Sequence, residues 1–297
     1  MIRIAVCLKY VPDPNTVEVD PVTGAIDTRR LLSITNPADE CALELALRLQ
    51  TEPGAVLALT AGPASADIAL RHALAAGAAR VIRVWDDGWT ATEPFLTATL
   101  LASALRQGLP DLVLCGARSV DRGTGEVPAL LAEQLGWPVV VDVTRVELGS
   151  GYALVQRRLG RGAREQVQVT LPAVIAVEPG IARLRHASLP AFMSAHRAAI
   201  PLLRPADLGL SSAEMDFPAL VLSATLPLRP RPRAIFTPDS ARPPHERISQ
   251  ILSAGIPRKS ATILEGPPDQ MAATIVNFLR ERGFLASHSV PDADAQP

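Results

Sequence analysis

Cysteines and aromatic residues are scarce in this chain, its charges nearly cancel, and no apolar run is long. The 297 residues include three cysteines, Cys7, Cys41 and Cys115, far apart in sequence. Such spacing argues against a disulfide framework or a zinc site. Each cysteine falls in a segment that reads as buried strand or helix, where a thiol packs as a small hydrophobe. Aromatics make up 4% of the chain and the formal net charge is −1. Without a basic face interleaved with aromatics, nucleic acid is not an expected partner. No apolar run approaches the ~20 residues that span a bilayer, so no membrane insertion is expected. The N-terminus carries no signal-peptide cleavage pattern, which makes the cytoplasm the expected location. The five histidines are scattered. None pairs with a cysteine or carboxylate at metal-ligand spacing, and no metal site is expected. GxSxG and HExxH motifs are absent too, so no catalytic acid, base or nucleophile is assigned.

What is present is a core. Hydrophobic residues make up 48% of the chain against 20% charged, enough for one large domain with appendages or two modest ones. Apolar runs at Ile2–Lys9, Ala55–Gly62, Val81–Trp85 and Asp111–Gly116 alternate with helical segments. Runs that are apolar on both faces suit parallel strands covered by helices on each side. Between them, Ala42, Leu45, Ala46 and Leu49 share one helical face, as do Val127, Leu130, Leu131 and Leu135. The expected fold is α/β, a doubly wound, mostly parallel sheet. From Trp137 to Glu178 four strand-like runs joined by glycine turns are expected to extend the sheet with antiparallel members. Beyond Gly180 the chain turns irregular and rich in proline, and ends with an amphipathic helix carrying Met271, Ile275, Phe278 and Leu279 on one face. This tail is either an arm that packs on a partner chain or a linker with a terminal helix.

One loop has the layout of a phosphate site. After the strand ending at Gly116 comes Asp121-Arg122-Gly123-Thr124-Gly125-Glu126-Val127-Pro128, followed by a helix. With Thr124 as N-cap, the N–H groups of Gly125, Glu126 and Val127 would lack intrahelical partners and Pro128 has none to offer. Free amides at the positive end of a helix attract phosphate, and Gly123 and Gly125 permit close approach. The alternative is an ordinary strand-to-helix turn whose Gly and Thr serve capping alone. Asp121 either orients a ligand or accepts from local backbone. Three more strand-exit loops, Lys9–Asn15, Thr35–Glu40 and Gly62–Ala66, would converge on the same sheet edge.

Several stretches, taken in order, resemble the β subunit of electron transfer flavoproteins over about Met1–Leu210: AVCLKYVPDPNTVEVD, NPADECALELALRL, TAGPASADIALRHALAAGA, DLVLCGARSVDRGTGEVPALL and HASLPAFMSAHRAAIPLLRPADLGL. The resemblance implies an adenine nucleotide α hydrolase-like fold with added antiparallel strands and an extended C-terminal arm. It divides the chain into a nucleotide-binding domain (1–180), a partner-recognition loop with the start of an arm (181–210), and an irregular extension (211–297). It further implies FAD shared with an α subunit, AMP or a second FAD in a crevice of this chain, a primary dehydrogenase as donor and a quinone-linked acceptor. Carried over, the nucleotide site draws on Lys9, Tyr10, Val11, Asn36, Ala66, Gly116, Asp121, Arg122, Gly123, Thr124, Gly125, Glu126 and Val127. The recognition loop, about Arg183–Arg197, presents Leu189, Pro190 and Met193, with Leu189 as apolar anchor. Glu126 stands where the family carries Gln, and Arg122 replaces a small residue. This form of the loop, with the long tail, is similar to the divergent branch associated with mycofactocin gene clusters. The competing expectation is a stand-alone adenine-nucleotide-binding protein of the universal-stress type. A nucleotide-dependent ligase or hydrolase would need a catalytic lysine or metal carboxylates that the loops lack.

Overall fold

Nine strands form one sheet in a computed structural model of the chain, which describes residues 2–20, 23–52, 54–87, 89, 93–211, 215, 240–252 and 265–285. In chain order the strands are β1 (Ile4–Cys7), β2 (Tyr10–Pro12), β3 (Glu18–Val19), β4 (Ile26–Asp27), β5 (Ser33–Thr35), β6 (Val56–Ala61), β7 (Arg80–Val84), β8 (Leu112–Gly116), β9 (Val139–Leu148), β10 (Tyr152–Arg158), β11 (Arg164–Thr170), β12 (Ala173–Val177) and β13 (Leu202–Leu203). The helices are α1 (Pro37–Leu49), α2 (Asp67–Ala76), α3 (Pro94–Arg106), α4 (Val127–Leu135), α5 (Leu189–Arg197), α6 (Pro244–Leu252) and α7 (Pro268–Glu281).

The sheet order is β11-β10-β9-β12-β8-β1-β6-β7-β13. Every pairing from β9 to β13 is parallel, while β10 pairs antiparallel with both β9 and β11. From β1 the chain steps to β6 and β7 on one side, then returns past β1 to β8 on the other. The winding therefore reverses between β1 and β8, and a crevice opens outside the carboxyl ends of strands at such a reversal.

Alternation along the strands divides the core. In β1, Ile4 and Val6 face a cluster with Ala42 and Leu43 of α1 and Leu70 of α2. Ala5 and Cys7 face the opposite cluster, with Leu100 and Leu105 of α3 and Leu131 of α4. Leu131 is fully buried, and such a side chain stabilises the fold by about 2 kcal/mol. The doubly wound sheet matches the expectation. Of the four late strands, β10 and β11 supply the expected antiparallel members, while β9 and β12 join the parallel set. Ala173–Val177 is buried along its whole length, so it takes an interior place between β9 and β8, leaving the half-polar hairpin β10–β11 at the edge.

The chain falls into two compact units, Met1–Leu228 and Arg229–Pro297. In the second, α7 is the terminal helix expected around Met271–Gly283, and Ile248 and Ile251 of α6 and Ile275 and Phe278 of α7 are exposed. Residues 216–239, including most of the proline-rich stretch, and the tail after 285 lie outside the described residues.

Candidate functional site

The exits of β1 and β8 are tied together by one buried carboxylate. Asn36 and Pro37 start α1, and Asp39 falls in its first turn. Asp39 Oδ2 accepts from the Lys9 amide at 2.8 Å and Oδ1 from the Gly116 amide at 2.9 Å. Burial pushes the Asp39 carboxyl up to about 7, against the pull of its hydrogen bonds to Asn36, Lys9 and Gly116. Gly116 has no room for a side chain: a Cβ would overlap Asp39 Oδ1 and stand 2.7 Å from Ala38 Cβ.

Asn36 and Lys9 fix the loop that follows β8. Asn36 Nδ2 donates to Arg118 O at 3.0 Å, and Asn36 Oδ1 accepts from the Val120 amide at 3.2 Å. Lys9 Nζ lies 2.6 Å from Asp121 Oδ2 and donates to Ser119 Oγ at 3.4 Å. Burial works to raise the Asp121 carboxyl, but hydrogen bonds from Lys9 and Ser119 outweigh it and hold it below the usual carboxylate range.

The helix begins two residues later than the sequence suggests. Gly123 and Gly125 adopt φ of +67° and +69°, and the left-handed residue at 125 interrupts any helical run from Thr124. Glu126 is the N-cap, with no side-chain capping bond, and α4 starts at Val127. The amides of Thr124, Gly125, Glu126 and Val127 have no acceptor among the described residues. A Cβ on Gly125 would come 3.0 Å from Ala117 O, so the glycine keeps this turn tight.

These pieces enclose a crevice of about 130 Å³ between the exits of β1 and β8 and the starts of α3 and α4. Of the residues expected at a nucleotide site, Lys9, Asn36, Gly116, Arg122, Thr124, Gly125, Glu126 and Val127 line it. The others stand back from it. Tyr10 and Val11 lie in β2, paired with β5, and Val11 is fully buried. Ala66 is buried in a short 3-10 turn before α2. Asp121 serves Lys9, and Gly123 donates to Ser119 O at 2.9 Å. Asp39 was missed by sequence reasoning. Its signal is an acidic residue in the first turn of a helix whose neighbours Ala38, Cys41 and Ala42 are all buried.

Of the segment expected to recognise partners, Leu189–Arg197 is helical and the residues before it are irregular. Ser188 caps α5 by accepting from the Ala191 amide, and Pro190 lies in the first turn. Two clamps hold the segment on the sheet domain. Before α5, Glu44 accepts from Arg185 Nε at 2.9 Å and from Arg48 at 2.8 Å. Burial works to raise the Glu44 carboxyl, but the two guanidinium groups hold it at about 2. At the far end, Arg71 Nη1 donates to the carbonyls of Ala195, His196 and Ala198 at 2.8, 2.6 and 2.9 Å. The chain then adds β13 to the sheet edge. Held in this way, α5 presents Leu189, Phe192 and Met193, which are 73%, 46% and 43% exposed; Pro190 is exposed as well. Among the described residues, no cluster of three His, Cys, Asp or Glu is placed to hold a metal ion, and no helix is long and apolar enough to cross a membrane.

A doubly wound sheet with a crevice at its reversal point places the chain in the α/β class. Residues 23–208 match the family model described as electron transfer flavoprotein domain. The chain is 32% identical to the electron transfer flavoprotein subunit beta of Thermoanaerobacterium thermosaccharolyticum, over 79% of this chain and 92% of the relative. It is 34% identical to the caffeyl-CoA reductase-Etf complex subunit CarD of Acetobacterium woodii, over 70% and 80%. Similarity to the protein FixA of Rhizobium meliloti, at 31% identity, extends over 99% of both chains. The chain belongs to the electron transfer flavoprotein β-subunit family.

Proposed function

We propose that this chain is the β subunit of a cytoplasmic, heterodimeric electron transfer flavoprotein. It relays electrons from a dehydrogenase to a quinone-linked acceptor through FAD held mainly by an α subunit. The crevice takes an adenine nucleotide, either AMP or a second FAD. The observation that carries this reading is the crevice itself, at the winding reversal, lined by Thr124, Gly125, Glu126 and Val127, whose amides have no acceptor among the described residues. When bound, the flavin supplies the redox chemistry; the protein binds, orients and tunes it. This chain's own residues then have three tasks. Asp39 and Asn36 fix the crevice walls, the amides of Thr124–Val127 receive an anionic group, and the apolar face of α5 offers Leu189 and Met193 to the dehydrogenase.

Co-expression with an α subunit tests the reading. The expected product is a yellow heterodimer whose flavin is bleached by dithionite and passes electrons on to a dye acceptor. A colourless, stable monomer that binds ATP without a partner would instead establish the stand-alone nucleotide-binding alternative.

A further inference from the structure

Three cations, Lys9, Arg118 and Arg122, line this crevice beside two carboxylates. Each of its three cations already faces a carboxylate: Lys9 with Asp121 at 2.6 Å, Arg118 with Asp142 at 3.3 Å, and Arg122 with Glu93 at 3.8 Å. Asp39 and Glu126 line the cavity itself, whereas Asp121, Asp142 and Glu93 stand outside its lining. Asp39 is occupied at the floor, where its two oxygens accept from Lys9 and Gly116.

Glu126 is placed differently. It is the N-cap of α4, makes no capping bond, and has an exposed side chain on the crevice. Its amide belongs to the same unpaired set as those of Thr124, Gly125 and Val127. The residue that offers an N–H to an anion therefore also brings a negative charge to that spot. Amide dipoles attract a phosphate, while the carboxylate repels it through a partly screened Coulomb interaction. The nucleoside part of a ligand carries no charge and feels neither the attraction nor the repulsion.

We propose that Glu126 sets the specificity of this crevice by weakening its hold on the phosphate of a nucleotide, so that selection falls on the nucleoside portion. The inference rests on the nucleotide reading of the crevice given above. In charge terms, replacing Glu126 with the neutral, isosteric glutamine leaves the amides in place and removes the repulsion.

Equilibrium dialysis of adenosine and AMP against the purified heterodimer, carrying wild-type, Glu126→Gln or Glu133→Gln β subunit, tests this directly. Glu133 is an exposed carboxylate on the same helix that does not line the crevice, so its variant controls for overall charge. The expected result is that Glu126→Gln binds AMP roughly tenfold more tightly, a gain of about 1.4 kcal/mol. Adenosine affinity stays within about twofold, and Glu133→Gln changes neither ligand. An unchanged ratio of AMP to adenosine affinity in Glu126→Gln, with adenosine still bound, overturns the role of Glu126 alone. An equal rise in Glu133→Gln also overturns it, since total charge would then suffice. Failure of all three proteins to bind either compound removes the nucleotide reading and this inference together.

Discussion

Replacing Glu44 with glutamine is expected to loosen the segment that carries α5, with a pH signature fixed by the clamp's charge. The Glu44 side chain is 4% exposed and bridges Arg185 and Arg48. Its carboxyl is held at about 2 against an ordinary 4.5. That difference corresponds to about 3 kcal/mol of stability at neutral pH. Solvent screening of the half-exposed arginines brings the expected loss to about 2–3 kcal/mol. Because the folded value is depressed, this contribution is fully present above 4.5 and drains away as pH falls towards 2. At about pH 3 less than half of it remains. Urea denaturation followed by tryptophan fluorescence gives the measurement. Wild type and Glu44→Gln are expected to differ most at neutral pH and to converge in acid. A gap of the same size at both pH values would show that glutamine acts through packing and not through the ion pairs, and the reasoning would fail.

Further expectations concern the crevice walls and α5. Gly116→Ala places a Cβ against Asp39 Oδ1 and Ala38 and is expected to destabilise by about 3 kcal/mol; Gly123→Ala, whose Cβ makes only an ordinary 3.8 Å contact with Ser119 O at φ +67°, should lose only about 1 kcal/mol, and thermal denaturation ranks the two. Arg71→Ala removes the donor to three carbonyls at the end of α5; hydrogen exchange of the α5 amides is expected to speed by about tenfold while β8 is unchanged. For Asp39 the sign reverses: its folded value is raised to about 7, so the folded state keeps a proton that the unfolded chain releases, and stability falls as pH climbs from 3.8 towards 7. Asp39→Asn should abolish that slope, as stability measured at stepped pH would show.

Much of the sheet was legible because β1 and β8 are apolar on both faces, β6 and β7 are largely so, and all alternate with helices of clear period. The place of β12 was not, since a buried apolar run carries no mark of its neighbours; only its complete burial between β8 and β9 shows why it crosses over. The crevice loop after β8 could be picked out from Gly116, Gly123 and Gly125, but not the start of α4. A glycine between Thr124 and Val127 permits both helical and left-handed backbone, and the fold chose the latter. Asp39 stayed hidden for a related reason. Acidic residues in a first helical turn are ordinarily solvated and complement the helix dipole, and only the third dimension reveals that this one sits between two strand exits. The clamps on α5 join residues more than a hundred positions apart, a separation that local patterns do not register.

The crevice between β1 and β8 is proposed to hold an adenine nucleotide within an electron transfer flavoprotein. The most direct measurement is to denature the purified α/β complex and quantify the released nucleotides by chromatography. A second adenine compound beside one FAD, either AMP or a further FAD, is the expected result. One FAD and no other nucleotide would contradict the claim.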